Sequence, residues 1–334
     1  MPAGRPAKEA DSIKIAAWDN RYEEEAVALW NEEAVRDGYK EMSAERLRSS
    51  MTGHPSFDAG TAFVMLKEGR VDGFAVGCTG GGLPLGDVAG YITCVVVRSG
   101  PEADAARGRL LDELERRFRE LGKKQAEVLF FNPMRLAWYI PDTPGHEHNN
   151  APGVPAGSAL HRLLLERGYA ERALQRAMYL PLGDFSVPDE IRAKEERAAS
   201  AGYRVERLDA ARHAGLAEML EALGNPLWKQ EIASAAASGV PVLLAAHEGR
   251  AAGFAGPVIR EDSGRGYFAG IGVEPSHEGH GLGTILFFRL CEAFRSAGAD
   301  YMSLYTGSGN PALRIYEKAG FRTVKEFAVM RKEL

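Results

Sequence analysis

The sequence predicts an α/β protein in which one unit of strands and helices occurs twice. Three observations carry that prediction. Two apolar runs joined by a Glu-Gly-Arg turn occur at 62–78, around Glu68-Gly69-Arg70, and again at 242–259, around Glu248-Gly249-Arg250. Each pair leads to a further apolar run and then to apolar residues at helical spacing: Leu110, Leu111, Leu114, Phe118 and Leu121 in one half, Leu286, Leu290, Ala293, Phe294 and Ala297 in the other. Each half then has a helix that stops at a glycine before an aromatic residue, Gly168-Tyr169 and Gly320-Phe321. One order of elements met twice is an internal repeat, so the fold class rests on two readings.

Taken in order, residues 1–11 are small, charged and proline-containing, and a disordered tail is expected there. A strand follows at 12–18, then a helix at 22–39 with its apolar face at Ala26, Leu29 and Trp30, and a short helix at 45–51 capped by Ser43. The hairpin at 62–78 leads to a central strand at 91–97, the Leu110 helix, a strand at 126–131, a helix at 158–167 and a closing strand at 177–182. Residues 183–201 read as a linker with a short solvated helix in the charged run 189–197. The second half, 202–334, has a strand at 203–208, helices at 211–223 and 229–237, the hairpin, a strand at 267–273, the Leu286 helix, a strand at 301–305, the Tyr316 helix and a terminal strand at 326–331.

Composition excludes several partners. Hydrophobic residues make up 45% and charged ones 26% of the 334 residues, which suits two globular domains with cores of their own. A net charge of −5 gives no basic footprint, so no nucleic-acid partner is expected. No apolar run is long enough to span a bilayer and the start of the chain lacks an apolar signal core, so no membrane association and a cytoplasmic location are expected. Cys78, Cys94 and Cys291 form no CxxC pair, so neither a disulfide framework nor a zinc site is indicated. Cys94 and Cys291 lie within apolar patterns, where a small buried hydrophobe and a reactive thiol are the alternatives.

The stretch that points to chemistry is Val273-Glu274-Pro275-Ser276-His277-Glu278-Gly279-His280-Gly281-Leu282-Gly283-Thr284. It leaves an apolar run and enters a helix, so it reads as strand, glycine loop, helix. Alternate glycines let the backbone N–H groups turn inward, and the helix adds its unpaired amides and the positive end of its dipole. The loop therefore suits a phosphate or diphosphate. The spacing is neither Gly-x-x-x-x-Gly-Lys-Ser/Thr nor Gly-x-Gly-x-x-Gly with a distant acidic residue, so nucleoside triphosphates and dinucleotides fit poorly. Downstream lies Asn310-Pro311-Ala312-Leu313-Arg314-Ile315-Tyr316-Glu317-Lys318-Ala319-Gly320-Phe321.

Together the two stretches resemble the acetyl-CoA site of the GNAT family of N-acetyltransferases, whose pattern is Arg/Gln-x-x-Gly-x-Gly/Ala after a strand, then Asn-x-x-Ala-x-x-x-Tyr-x-Lys-x-Gly-Phe. The resemblance covers roughly 202–334, and one position departs from it: Glu278 stands where the family has Arg or Gln. It implies two tandem domains, each with a mixed, mostly antiparallel central sheet flanked by helices. It implies acetyl-CoA as cosubstrate with no metal, and direct attack on the thioester by a primary amine of a small molecule. Tyr316 is implied as the acid at the leaving sulphur. The backbone of Ile271, Gly272 and Val273 is implied to hold the pantetheine arm, and Gly279, His280, Gly281, Leu282, Gly283 and Thr284 the diphosphate. Asn310 is expected to approach the cofactor, to cap the following helix, or both.

No base is evident; Glu274, Glu231, His247 and a water chain are open candidates. Trp228, after Asn225-Pro226-Leu227, lies where the family shapes its acceptor pocket, and is either an aromatic wall or core packing. A non-catalytic acyl-CoA sensor is the competing reading, and a homodimer is one assembly compatible with either.

The first copy, 12–182, lacks the chemistry. With Leu110 set opposite Leu286, Glu102, Ala105 and Arg107 fall where the second copy has Glu278, Gly281 and Gly283. With Gly168 set opposite Gly320, Ser158 faces Asn310 and Leu164 faces Tyr316. Side chains at both glycine positions block a diphosphate, and leucine transfers no proton. The two alignments differ by about two dozen residues, an insertion falling in 132–157 with Trp138, Tyr139, His146 and His148. A loop of that length suggests an ordered cap over a substrate pocket, in which Trp138 and Tyr139 touch substrate, or a docked surface loop. Two histidines without companions make a thin metal site.

Overall fold

The computed structural model describes residues 13–80, 82–128 and 132–334. The tail expected at 1–11 and the last three residues of the strand expected at 126–131 lie outside the described residues. Two compact units divide the chain, one of Met1–Ala177 with Val324–Leu334, the other of Met178–Thr323.

The first unit runs β1 (Lys14–Ala17), α1 (Glu23–Glu33), α2 (Ala44–Leu47), β2 (Ala62–Lys67), β3 (Arg70–Cys78), β4 (Ala89–Val97), α3 (Ala103–Glu120), β5 (Gln125–Val128), β6 (Trp138–Tyr139), β7 (Glu147–His148), β8 (Val154–Pro155) and α4 (Ala159–Glu166). Strands β1 to β4 pair antiparallel in order, and β5 joins β4 in parallel through Ala89↔Gln125 to Tyr91↔Glu127. The sheet is thus mixed and mostly antiparallel. Glu68 (φ 51°) and Gly69 (φ 79°) close the β2–β3 hairpin with both central residues left-handed, the turn whose twist matches paired strands. The apolar face expected of α1 is buried at Ala26, Leu29 and Trp30, and α3 buries Leu110, Leu111, Leu114 and Phe118.

β9 (Ala170–Pro181) leads from the first unit into the second. There follow α5 (Asp189–Ser200), β10 (Tyr203–Arg207), α6 (Leu216–Ala222), α7 (Pro226–Ala237), β11 (Leu243–His247), β12 (Arg250–Gly256), β13 (Ile259–Arg260), β14 (Arg265–Tyr267), β15 (Gly270–Val273), α8 (Leu282–Ser296), β16 (Tyr301–Gly307), α9 (Leu313–Lys318) and β17 (Arg322–Glu333). The β11–β12 turn repeats the first hairpin's geometry, with Glu248 at φ 50° and Gly249 at φ 77°. Helix α8 packs Ile285, Leu286, Phe287, Leu290 and Phe294 into the unit's core.

Two assignments read from sequence are reversed. The run expected to close the first half belongs from Met178 onward to the second unit, where Tyr179 lies 5.7 Å from Tyr301 and the Leu182 N–H donates to the Asp300 carbonyl at 2.9 Å. The terminal strand expected to close the second half belongs from Val324 onward to the first unit, pairing antiparallel with β5 from Met330↔Val128 to Glu333↔Gln125. The physical reason lies in two buried carboxylates of the first unit. Glu115 accepts from the Lys332 ammonium at 2.9 Å and from the Tyr169 hydroxyl at 3.0 Å, and Glu127 pairs with Arg331. Those cations come from the last strand; without them Glu127 would lose the Arg331 pair and Glu115 would keep only Arg119 at 3.4 Å and the Tyr169 hydroxyl, at a desolvation cost for each buried carboxylate.

Helix α5 also departs from expectation. It forms where the charged run predicts, but Ile191 and Ala198 are buried in the same core as α8, and Glu195 pairs with Arg289 of α8 at 3.2 Å. It is a packed element of the second unit. The insertion at 132–157 folds as an ordered part of the first unit: β6 and β7 pair through Trp138↔His148, and β8 pairs with β17 through Phe327↔Pro155.

Candidate active site

Between Tyr267 and Gly270 the chain changes partner. β14 runs parallel to β16, with Arg265↔Tyr301 and Gly266↔Met302 in register, whereas β15 runs antiparallel to β12 from Gly270↔Gly256 to Val273↔Gly253. The strand thereby splits from its neighbour, and β15 ends a four-stranded sheet ordered β10-β11-β12-β15. A strand pairs through alternate residues on each edge, so part of the Ile271, Gly272 and Val273 backbone points away from β12, available to a ligand.

Glycine at 270 and 272 is required by what covers them. A Cβ on Gly270 would collide with the Trp228 indole, and one on Gly272 would meet Leu223 at 2.9 Å and Trp228 at 3.2 Å. Trp228 donates its Nε1–H to the Ala269 carbonyl at 3.1 Å and stands edge-on to Phe254 at 5.4 Å. It props the strand at its splitting point. Gly270→Ala is therefore expected to cost about 1–3 kcal/mol of stability through overpacking, and Trp228→Ala in the same chain to restore part of the loss. Urea unfolding of the two single variants and the double variant measures this coupling.

After β15 the chain makes a tight turn at 275–277 and enters the glycine loop, where Gly279 (φ 85°) and Gly281 (φ 73°) are both left-handed. Gly281 is the residue before α8, and no side chain among the described residues caps that helix. The Ile285 N–H bonds the Gly281 carbonyl at 3.1 Å, so the N–H groups of Leu282, Gly283 and Thr284 precede the first helical bond and remain for a ligand. With the helix dipole they form an anion cradle. His280 and Glu278 are both exposed.

One feature of this loop has only a weak sequence signal. Tyr203 of β10 donates or accepts a hydrogen bond with His277 Nδ1 at 2.9 Å, and its ring lies 4.7 Å from that of His280 and 4.6 Å from that of His247. The stack ties both ends of the loop to the sheet. Three histidines at 247, 277 and 280 in a chain with eight were the visible hint.

Tyr316 of α9 is buried, its ring 4.8 Å from Phe287 and 6.1 Å from Phe321. Its hydroxyl makes no hydrogen bond among the described residues, and burial pushes the phenol pKa above its ordinary value. Asn310 is exposed and accepts the Ala312 N–H at 2.9 Å in a local turn; the cap expected of it is not formed, since Ala312 precedes α9 and makes no side-chain capping bond. Of the candidate bases, Glu274 and His247 share a cavity of about 300 Å³ with Glu218, Arg250 and His277. Glu231 instead accepts the Tyr267 hydroxyl at 2.6 Å.

Trp138 and Tyr139 are built into the first unit. Trp138 is buried 5.2 Å from Phe327, stacks on His148 at 6.3 Å and donates to the Asn150 carbonyl at 3.1 Å; the Lys40 ammonium sits 5.9 Å from the Tyr139 ring. At the start of α3, Glu102 precedes the helix without a side-chain capping bond, and Arg107 pairs with Asp104 at 2.7 Å. Ser158 caps α4 by accepting the His161 N–H at 3.2 Å, the position set opposite Asn310, and Leu164 is fully buried. Among the described residues no group of three or more His, Cys, Asp or Glu is placed to hold a metal ion. The three cysteines are free and buried, with burial pushing the Cys78 and Cys94 thiols up to about 12. No helix among the described residues is long and apolar enough to cross a membrane.

Residues 206–321 match the model of the acetyltransferase (GNAT) family. The chain is similar in structure to a glucosamine N-acetyltransferase region of a fungal multi-domain GH3 β-N-acetylglucosaminidase, with TM-score 0.67 and 15% identity over 99% of this chain. It spans 39% of that protein's length. It is also similar to a GCN5-related N-acetyltransferase from Sphaerobacter thermophilus (TM-score 0.63, 17% identity, 96% of this chain and 95% of that one). A tandem GNAT protein of the clavulanic acid biosynthesis pathway gives TM-score 0.57 at 15% identity, over 96% and 98%. These likenesses show the fold. No curated protein matches the chain in sequence.

Proposed function

We propose, from the premise that residues 206–321 are a GNAT acetyltransferase domain, that the second unit transfers an acetyl group from acetyl-CoA to a primary amine of a small molecule. The observation that carries the reading is a cradle and a phenol in one unit: left-handed glycines at 279 and 281 before an uncapped α8, and the unpartnered Tyr316 hydroxyl on α9. When bound, acetyl-CoA supplies the activated thioester. The amides of Leu282, Gly283 and Thr284 hold its diphosphate, and the outer edge of β15 at Ile271, Gly272 and Val273 binds the pantetheine arm and polarises the thioester carbonyl. Tyr316 donates a hydrogen bond to the departing sulphur. Glu274 and His247, which line one cavity, are the candidates for relaying a proton from an acceptor amine through water.

The first unit is read as a degenerate second copy of the fold. A non-catalytic acyl-CoA module is the second reading, favoured by Glu278 at the loop. A thiol-release assay with acetyl-CoA over a panel of amines, glucosamine among them, separates the two. Turnover with any amine supports the transferase, whereas cofactor binding without turnover selects the module.

A further inference from the structure

The glycine loop has Glu278 where the motif has Arg or Gln, yet the structure brings a cation to it from elsewhere. Helix α5 lies against α8, and its face toward that helix carries Ile191 and Ala198, both buried, with Lys194 between them. A Cβ built on Gly281 would meet Lys194 Cδ at 2.7 Å and Cγ at 3.2 Å, with Nζ at 3.5 Å. The stem of Lys194 thus crosses the glycine that opens α8, and its ammonium stands beside the cradle. The side chain is half-buried and makes no ion pair or hydrogen bond among the described residues. Neighbouring carboxylates on the same helix are engaged: Glu195 with Arg289 and Glu190 with Lys318 at 3.0 Å. A half-buried lysine without a partner among the described residues, beside the first N–H groups of α8, is an arrangement of donors without an acceptor, and an anion completes it.

We propose that Lys194 is the cationic member of the diphosphate cradle, supplied by the helix before the domain rather than by the loop. The assignment rests on the acetyl-CoA reading of the second unit. It gives Gly281 a second task, since a side chain there would displace the lysine stem as well as strain the backbone. It also makes the helix at 189–200 part of the binding site, so a piece of the chain begun at 202 would carry the motif without its cation.

The test is calorimetry on the full chain with coenzyme A and with dephospho-coenzyme A, which keeps the diphosphate and lacks the 3′-phosphate. Lys194→Met is expected to weaken both ligands by about tenfold, as loss of a charge-assisted contact does, and to flatten the salt dependence of binding. Lys194→Arg is expected to recover most of the affinity, with unfolding midpoints matching the wild type in both variants. Unchanged affinity in Lys194→Met overturns the assignment, as does a loss confined to coenzyme A with dephospho-coenzyme A unaffected. If the wild type takes neither ligand, the acetyl-CoA reading itself fails and this assignment goes with it.

Discussion

In Gly281→Glu, coenzyme A binding is expected to disappear, with no measurable heat even at roughly millimolar cofactor, where a ligand held by as little as about 4 kcal/mol still registers. Three effects add. Position 281 has φ 73°, a left-handed conformation that costs a residue with a Cβ about 1–3 kcal/mol. The new side chain would enter the space of the Lys194 stem, 2.7 Å away at Cδ. Its carboxylate would then sit where the uncapped N–H groups of α8 wait for a diphosphate, and could satisfy them itself. Gly281→Ala, which keeps the first two effects and lacks the third, is expected to bind with intermediate affinity. Ala105→Glu, at an exposed position of α3 set opposite Gly281 by sequence, is expected to leave binding unchanged. Loss in both Glu variants would mean that the first unit also holds the cofactor.

How much of this was legible follows from which interactions are local. The Glu-Gly hairpins, the α3 and α8 stripes and the glycine loop are written in neighbouring residues and form where the pattern places them, except that Leu121 and Ala297 fall past the ends of their helices and are exposed. The destination of the last strand is not written locally. Its partners Glu115 and Glu127 lie more than two hundred positions away, and strand periodicity says which face is buried without saying against which sheet. Lys194 was hidden for a similar reason. In a run as charged as 189–197 one lysine looks like solvated surface, and only Ile191 and Ala198, seven positions apart, mark the side that packs. The split at Phe268 and Ala269 was half visible: Gly270 and Gly272 signal a strand that something approaches closely, but that the visitor is Trp228 needs the fold.

Tyr316→Phe tests the chemistry apart from the binding. The phenol ring packs on Phe287 and Phe321, and phenylalanine keeps both contacts. Because the hydroxyl has no partner among the described residues, its removal strands no donor there, and the unfolding midpoint is expected to hold or rise slightly. Coenzyme A affinity is expected to stay within about twofold, since an interaction made chiefly as the sulphur departs adds little to ground-state binding. The turnover number with the best amine of the panel is expected to fall by about 10²-fold, the effect of deleting one donor to developing charge. Burial raises the phenol pKa, so full proton transfer to a thiolate, whose conjugate acid has a pKa of about 8.5, becomes more uphill and the hydrogen bond carries the larger share. The sign of the pH dependence follows. A donor must be protonated, its activity is lost as pH rises through its folded pKa, and that value lies above the ordinary phenol's, so the wild-type rate should climb as the amine deprotonates and stay level to about pH 10. Tyr316→Phe should show the same rise to a lower plateau. A full rate in Tyr316→Phe, or a wild-type rate falling already near neutrality, would remove Tyr316 from the reaction and leave the cradle as a binding site alone.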